Sequence, residues 1–124
     1  SPSILRINRM LMKLTKGDQV IAEKVKMADT IYLRTVGLMF SKSLDGFDCL
    51  WIRPCKSIHT CFMKYPIDVM FLDKKLKIVK IIKNIKPWRV TLMYFTATQC
   101  LEFSGGFLPG NLKIGDNLEA VCIN

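Results

Sequence analysis

The sequence predicts a mainly β (α+β) fold: a small barrel-like or sandwich domain of seven or eight short strands, with one short helix near residues 29–40. Apolar residues occur in short runs that alternate with polar ones, which is typical of strands with one face in water. Gly, Pro and Asp separate these runs at close spacing, as in small β-rich domains. The 124 residues, 50% of them hydrophobic, are enough for one domain with its own core.

The first two predicted elements are a hairpin and a helix. Met10–Leu14 and Gln19–Met27 have strand-like patterns on either side of a turn signal at residues 16–18. Asp29 then offers a helix N-cap, and the apolar residues that follow, as far as Met39, recur at helical spacing. A loop leads from this helix to the next strand.

Strands account for most of the remaining chain. Pro54 ends the first of them, residues 73–75 form the tight turn of a second hairpin, and Leu108–Ile114 is a short helix or a turn. No repeat, linker or low-complexity tract interrupts this series. The predicted strands are Cys49–Arg53, His59–Lys64, Val69–Leu72, Leu76–Ile85, Thr98–Phe103 and Asn117–Ile123.

The chain is basic, with 19 Lys and Arg against 10 Asp and Glu and a formal net charge of +9. Such a charge can attract nucleic acid, anionic membranes or acidic ligands. The lysines are scattered in ones and twos, however, and no recognition motif accompanies them, so nucleic acid is not a predicted partner. The longest uncharged run, Val90–Leu101, is too short and polar to cross a bilayer, so the chain is not predicted to span a membrane.

Cysteine usage predicts a cytoplasmic location. Five cysteines are an odd number, which leaves at least one thiol unpaired in a monomer, and no signal-peptide pattern opens the sequence. The thiols are therefore expected to be reduced, as small hydrophobic residues. Because the chain begins with Ser1 rather than Met, export with a removed signal is the alternative.

Most of the reactive side chains lie between Cys55 and Asp73, a stretch that includes the only histidine, His59. A spacing of four places Cys55 and His59 on one face of a regular strand. Such a pair can be a thiolate nucleophile with its histidine, or two ligands of a soft metal with Cys49 or Asp68 as a third. A structural histidine bonded to a carbonyl explains the pattern equally well. All three interpretations remain open.

A second group of candidates centres on Asp68, which opens an apolar strand after Pro66. A carboxylate buried there needs a partner, and Arg34 or Arg89 would supply a bidentate one. The pair would be either a structural ion pair or part of an anion-binding or acid–base set with the histidine. Trp88 lies in a Pro-fixed corner, where its ring would cap the domain or stack on a ligand.

Three separated motifs resemble one known family: residues 34–40 (Arg-Thr-Val-Gly-Leu-Met-Phe), residues 58–73 (Ile-His-Thr to Phe-Leu-Asp), and residues 101–106 with 113–116. In this order they resemble the prokaryotic family called domain of unknown function 192. The chain resembles in particular a subgroup with a short link between the Met and the Pro-Ile-Asp of the central motif. Pro54-Cys55 and the Lys-Pro-Trp-Arg corner at 86–89 match further pieces of that subgroup. The resemblance implies a compact barrel-like domain without an established reaction. It covers residues 28–124 as the family core, and residues 1–27 form an N-terminal hairpin extension to a single domain of 1–124.

The predicted function is therefore a small binding or accessory module with a polar cleft for an anionic or polar ligand or a protein partner. The predicted ligand-binding residues are Arg34, His59, Asp68, Trp88 and Arg89. The alternative is a small hydrolase-type enzyme or a metal-binding protein that uses Cys55 and His59, with Asp68 as a further catalytic candidate. The leading hypothesis involves no metal and no cofactor, and the sequence does not specify the oligomeric state.

Overall fold

The computed structural model describes residues 12–28, 47–60 and 63–122. Seven strands form a single sheet in the order β5-β4-β6-β3-β2-β1-β7, which confirms the mainly β prediction. Every neighbouring pair is antiparallel except β2 and β3, which run parallel. The strands are β1 (Met12–Lys16), β2 (Gln19–Ala28), β3 (Cys49–Ile52), β4 (Ile67–Leu72), β5 (Ile78–Ile85), β6 (Gln99–Ser104) and β7 (Glu119–Cys122).

Both predicted hairpins form, because each depends only on a local turn between alternating strands. The β1–β2 hairpin turns at Gly17, whose φ of 58° is readily adopted only without a Cβ. The β4–β5 hairpin turns after Asp73. Every side chain of β4 is buried, and the same holds for the first five residues of β6, because both faces of the sheet are covered at its centre.

The prediction of a barrel-like domain is wrong, because the sheet is open. Its edge strands are β5 and β7, and no ladder joins them. Lys77 and Asn117 form only an isolated bridge near these edges. A closed barrel needs continuous pairing and a consistent register around the whole ring, which one bridge does not supply.

Two hydrophobic clusters lie on the two faces of this sheet. The first contains Leu14, Trp51, Met70 and Phe103 and is covered by the turns at residues 107–118. The second contains Leu50, Val69 and Phe71 together with Cys55 and Ile58. Adjacent strand residues therefore enter different clusters, as expected when side chains alternate across a strand.

The second cluster is covered by two irregular segments, residues 53–60 and 86–98, which we call the outer layer. They run antiparallel: the Tyr94 amide donates to the Lys56 carbonyl at 2.8 Å, and the Thr91 amide donates to the Ile58 carbonyl at 3.0 Å. In the described part of the predicted strand His59–Lys64, the only pairing is a bridge between His59 and Val90. This segment pairs with another loop instead of joining the sheet, so the strand prediction fails there.

The described residues contain no α-helix. The helix predicted near residues 29–40 lies outside the described ranges, and Leu108–Ile114, predicted as a short helix or turn, forms turns. Nowhere in the described part of the chain is there a helix long and apolar enough to span a bilayer.

Candidate functional site

One buried side chain, Thr60, ties the two segments of the outer layer together at their corner. Its hydroxyl donates to the Lys86 carbonyl at 2.7 Å and accepts from the Arg89 amide at 2.8 Å. Its backbone amide donates to the Arg89 carbonyl at 2.8 Å, and its carbonyl accepts from the Trp88 amide at 3.0 Å. A buried hydroxyl that both donates and accepts a hydrogen bond holds its neighbours in one defined geometry. Thr60 therefore determines the shape of the corner at residues 86–89.

Trp88 occupies this corner with a φ of 65°, in the left-handed region that bulky residues rarely adopt. Such a conformation costs about 1–3 kcal/mol and persists only where neighbouring contacts impose it. The hydrogen bond to Thr60 is one such contact. The indole is 60% exposed, so the corner presents a large aromatic side chain to solvent instead of covering the sheet with it.

Trp88 begins a series of exposed apolar side chains along the outer layer, which we call the apolar row. Large apolar groups are scattered singly over most protein surfaces, and a contiguous group of them indicates an interaction site. The members and their exposed fractions are Trp88 (60%), Val90 (73%), Leu92 (76%), Met93 (54%) and Phe95 (76%).

The backbone of the apolar row is held on the sheet by contacts on its inner side. The Tyr94 ring packs on Phe71 of β4 with ring centroids 4.8 Å apart. The Lys56 ammonium donates to the carbonyls of Phe95 and Ala97 at 2.9 and 2.8 Å. The exposed side chains therefore project from a segment that is hydrogen-bonded and packed, and little further ordering is needed for binding.

The charge around the apolar row has one sign. From Lys77 to Leu101 the sequence contains no Asp or Glu, and the same is true from Cys49 to Ile67. Lys83, Lys86 and Arg89 are all exposed near the corner. The surface thus combines apolar groups with cations and lacks acidic residues along these segments.

The structure brings together three of the predicted ligand-binding residues. His59 is exposed and pairs with Val90 beside Arg89 and Trp88. The Arg89 guanidinium lies 3.5 and 3.4 Å from the carbonyls of Pro87 and Trp88. Arg34 lies outside the described residues. The predicted group is therefore represented here by His59, Trp88 and Arg89, on a surface rather than in a deep cleft.

Asp68 lies apart from these residues, fully buried in β4. Its carboxylate accepts backbone hydrogen bonds from Asn84 at 2.8 Å and from Gly106 and Leu108 at 3.1 Å each. The predicted ion pair with Arg89 is not formed; the only ion pair between described residues joins Lys16 and Asp116. Among the described residues, backbone amides supply the hydrogen bonds that the buried carboxylate needs.

Cys55 is also buried, on the inner side of the outer layer, where it packs in the second cluster. Its thiol donates to the Ser57 carbonyl at 3.2 Å and forms a hydrogen bond with the Cys100 thiol. Cys55 is buried whereas His59 is exposed, and the thiol–imidazole pair stays a prediction. Burial raises the pKa of the Cys100 thiol well above its usual value, and the hydrogen bond with Cys55 adds to the shift.

The same interior contains Glu102, which is 7% exposed on β6. Burial, with a smaller contribution from Cys55, raises the pKa of Glu102 to about 8. Burial also raises the pKa of the Cys49 thiol well above its usual value. No group of three or more His, Cys, Asp or Glu side chains among the described residues is arranged to hold a metal ion.

The sequence analysis did not single out Thr60, Glu102 or the apolar row. Thr60 follows the histidine in the central motif. Its hydrogen-bond partners, Lys86 and Arg89, lie 26 and 29 positions away in the sequence, so no local pattern indicates its role. Residues 90–95 are part of the uncharged run Val90–Leu101, and the sequence cannot show which side of a loop is covered.

A family model, DUF192, described as an uncharacterized ACR, matches residues 12–120 of the chain. A UPF0127 protein of Thermococcus sibiricus is 34% identical over 116 residues, which cover 89% of this chain and 73% of the relative. A UPF0127 protein of Pyrococcus furiosus is 30% identical over 115 residues, covering 88% of this chain and 96% of the relative.

Two solved structures are similar in fold. A protein of unknown function from Novosphingobium aromaticivorans has a TM-score of 0.72 at 19% identity, covering 88% of this chain and 83% of that protein. A protein from Sinorhizobium meliloti 1021 has a TM-score of 0.74 at 19% identity, with 90% and 92% covered. At this identity the similarity shows the fold alone.

Proposed function

Since this chain belongs to the DUF192 family, which is uncharacterised, we propose a function from its surface: it is a non-enzymatic binding module that docks on an anionic membrane surface through the outer layer. The observation that carries the proposal is the apolar row projecting from a cationic segment. The predicted polar cleft is thereby replaced by an exposed face with His59, Trp88 and Arg89 at one end.

An anionic bilayer supplies both kinds of contact that this face offers. Large apolar side chains enter the boundary between headgroups and hydrocarbon, and each fully buried one contributes about 1.5–3 kcal/mol. Lysines and arginines near an anionic leaflet contribute about 1 kcal/mol each. Trp88 suits the interface in particular, because its ring is apolar and its N–H is polar. This module would lie on the membrane without crossing it.

The alternative is a thiol- and histidine-dependent enzyme, and the contacts support it less. Its nucleophile would be Cys55, which is 6% exposed on the inner side of the outer layer. A catalytic thiol needs a thiolate within reach of both substrate and base. His59, in contrast, is exposed on the same segment.

The test uses the two tryptophans of the chain as built-in reporters. Trp88 is 60% exposed and Trp51 is 4% exposed, so docking through the outer layer should shift only the Trp88 emission to shorter wavelength. We expect the shift, and co-sedimentation, with vesicles of phosphatidylcholine and phosphatidylglycerol at low salt, and weaker binding with phosphatidylcholine alone or at high salt. Trp88→Phe should abolish the spectral signal, and Trp51→Phe should preserve it.

Variants then distinguish binding through this face from nonspecific binding by exposed apolar residues elsewhere on the protein. Leu92→Ser combined with Phe95→Ser should reduce vesicle binding at least tenfold, because two apolar groups are removed. Ile114→Ser is the matched control, since Ile114 is 64% exposed in the turns on the other cluster, and it should bind normally. Equal loss in both variants, or no vesicle binding at all, would overturn the proposal. Strong binding to duplex DNA with none to vesicles would assign the face to nucleic acid.

A further inference from the structure

A hollow of about 460 Å³ lies at the end of the sheet where β3 and β4 finish and β6 begins. It is lined by Arg53, Pro54, Lys74, Thr98 and Gln99. We call it the β6 hollow. None of these residues belongs to the apolar row, although Arg53, Pro54 and Thr98 are part of the outer layer.

The floor of the β6 hollow is fixed by the Gln99 amide. Its carbonyl oxygen accepts from the Trp51 indole N–H at 2.7 Å, and its NH₂ group donates to the Asp73 carbonyl at 2.8 Å. The same indole ring lies 5.8 Å from the Arg53 guanidinium carbon, within the range of a cation–π contact. Trp51 therefore contacts both the floor and one cation of the hollow.

The two cations of the hollow lack an acidic partner. Neither Arg53 nor Lys74 forms an ion pair with any carboxylate among the residues that the structure describes. Two like charges that converge on one hollow repel each other, and a bound anion relieves the repulsion. Arg with Lys is also the combination that proteins use for phosphate, since Arg binds bidentately and Lys adds a point charge.

A third polar group belongs to a lining residue and has no hydrogen-bond partner among the described residues. The Thr98 hydroxyl is buried and unpaired within the described structure, although its residue lines the hollow. Its backbone is held by bonds to the Leu72 carbonyl at 2.9 Å and from the Cys55 amide at 3.0 Å. A buried hydroxyl without a partner is costly unless a ligand or water completes it.

We propose that the β6 hollow binds the phosphate group of a small phosphorylated molecule. In this site Arg53 and Lys74 neutralise the phosphate oxygens, and the Thr98 hydroxyl donates a hydrogen bond to one of them. The volume exceeds that of the phosphate alone, which leaves room for the organic part of the ligand beside Pro54.

The test is titration of the native protein with inorganic phosphate, pyrophosphate and acetate at constant ionic strength, followed by ¹⁵N chemical shifts. The side-chain amide of Gln99 and the Trp51 indole N–H report on the floor, whereas the Trp88 indole reports on the apolar row. We expect saturable shifts at Gln99 and Trp51 with both phosphates and none at Trp88. Acetate binding as tight as phosphate binding, or no saturable shift with phosphates, would overturn the assignment.

Matched variants test the three contacts. Arg53→Gln and Lys74→Gln should each weaken phosphate binding by roughly tenfold, because each removes a charge-assisted contact. Lys75→Gln changes the same turn without lining the hollow and should bind like the native chain. Thr98→Val should weaken binding, and Thr98→Ser, which keeps the hydroxyl, should restore it. Thermal melting would confirm that each variant is folded. If Lys74→Gln and Lys75→Gln weakened phosphate binding equally, the binding would depend on the overall positive charge and not on this site, and the proposal would be overturned.

Discussion

Asp68 and Glu102 are both buried carboxyl groups on neighbouring strands of one sheet, but they face opposite sides and have different surroundings. Asp68 pairs in register with Phe103, and Glu102 pairs with Val69. Three backbone amides donate to Asp68. No described residue donates a hydrogen bond to the Glu102 carboxyl, which lies near the Cys55 thiol.

The comparison shows that two buried carboxyl groups on neighbouring strands can have very different hydrogen-bond partners. The three amides around Asp68 take the place of water, so this side chain is a structural junction between β4, β5 and the turn after β6. Glu102 lacks such donors within the described chain, and its pKa of about 8 means that it is mostly protonated at neutral pH. The number of donors, which depends on local backbone geometry, separates the two.

The largest effect is expected for Asp68→Asn. The substitution turns one carboxyl acceptor into an NH₂ group that faces backbone donors, so the free energy of unfolding should fall by about 3 kcal/mol. Urea denaturation at neutral pH measures it, and Asp18→Asn in the exposed β1–β2 turn is the control. A loss no larger than that of the control would contradict the structural role of the three amide bonds.

The second prediction concerns pH and Glu102. Its folded pKa of about 8 exceeds the ordinary value of 4.5, so the native state holds a proton that the unfolded state releases between these values. Stability should therefore fall as pH rises through this window, by about 2 kcal/mol between about pH 6 and about pH 8. Denaturation across this range should show the slope in the native chain and lose most of it in Glu102→Gln. If Glu102→Gln kept the same slope of stability against pH, the pH dependence would come from other titratable groups.

A smaller effect is expected at Asp73, a carboxylate at the turn surface. It accepts from the amides of Lys75 at 2.8 Å and Lys77 at 3.0 Å, and the bond from Lys77 is the main reason that its pKa is lowered. Because water can partly replace the carboxylate as a hydrogen-bond acceptor, Asp73→Ala should lower the free energy of unfolding by only about 1 kcal/mol. The difference should vanish in acid, as pH falls through the lowered pKa. A loss of stability as large as that of Asp68→Asn would contradict the expectation that the buried carboxylate matters more than the surface one.

The smallest effect is expected for the surface pair of Lys16 and Asp116, 2.8 Å apart. The hydrogen bond from Lys16 lowers the pKa of Asp116, but water screens an exposed pair. Asp116→Asn should therefore lower the melting temperature less than Asp73→Ala does, and high salt should reduce the difference further. A larger, salt-independent change would show that the hydrogen bond donated by the Lys113 amide to Asp116 contributes more than the ion pair.

Much of the sheet followed from the sequence, whereas the candidate site did so only in part. Both hairpins were predictable, because a Gly or Asp turn between alternating strands specifies its own pairing. The corner at Trp88 was predictable from Pro87, although its left-handed φ and its exposure were not. The strand predicted from His59 failed because the partner of that segment is the loop at 86–98, distant along the chain.

The β6 hollow shows the same limit from another side. Arg53, Lys74 and Thr98 come from three separate parts of the sequence, and no motif connects them. They meet because β3, β4 and β6 are neighbours that start or finish at the same end of the sheet. Nothing in the spacing of these residues signals that convergence.

By itself, the sequence determined the strand content, the two hairpins and the concentration of polar motifs, because these depend on alternation and on local turns. The tertiary structure alone decided that the sheet stays open, that backbone amides bind Asp68, that Cys55 is buried, and that Trp88 and His59 are exposed. The physical reason is that alternation divides residues between two sides without saying which side is covered. That choice depends on contacts between segments distant in sequence, such as the bonds that hold the outer layer on the sheet.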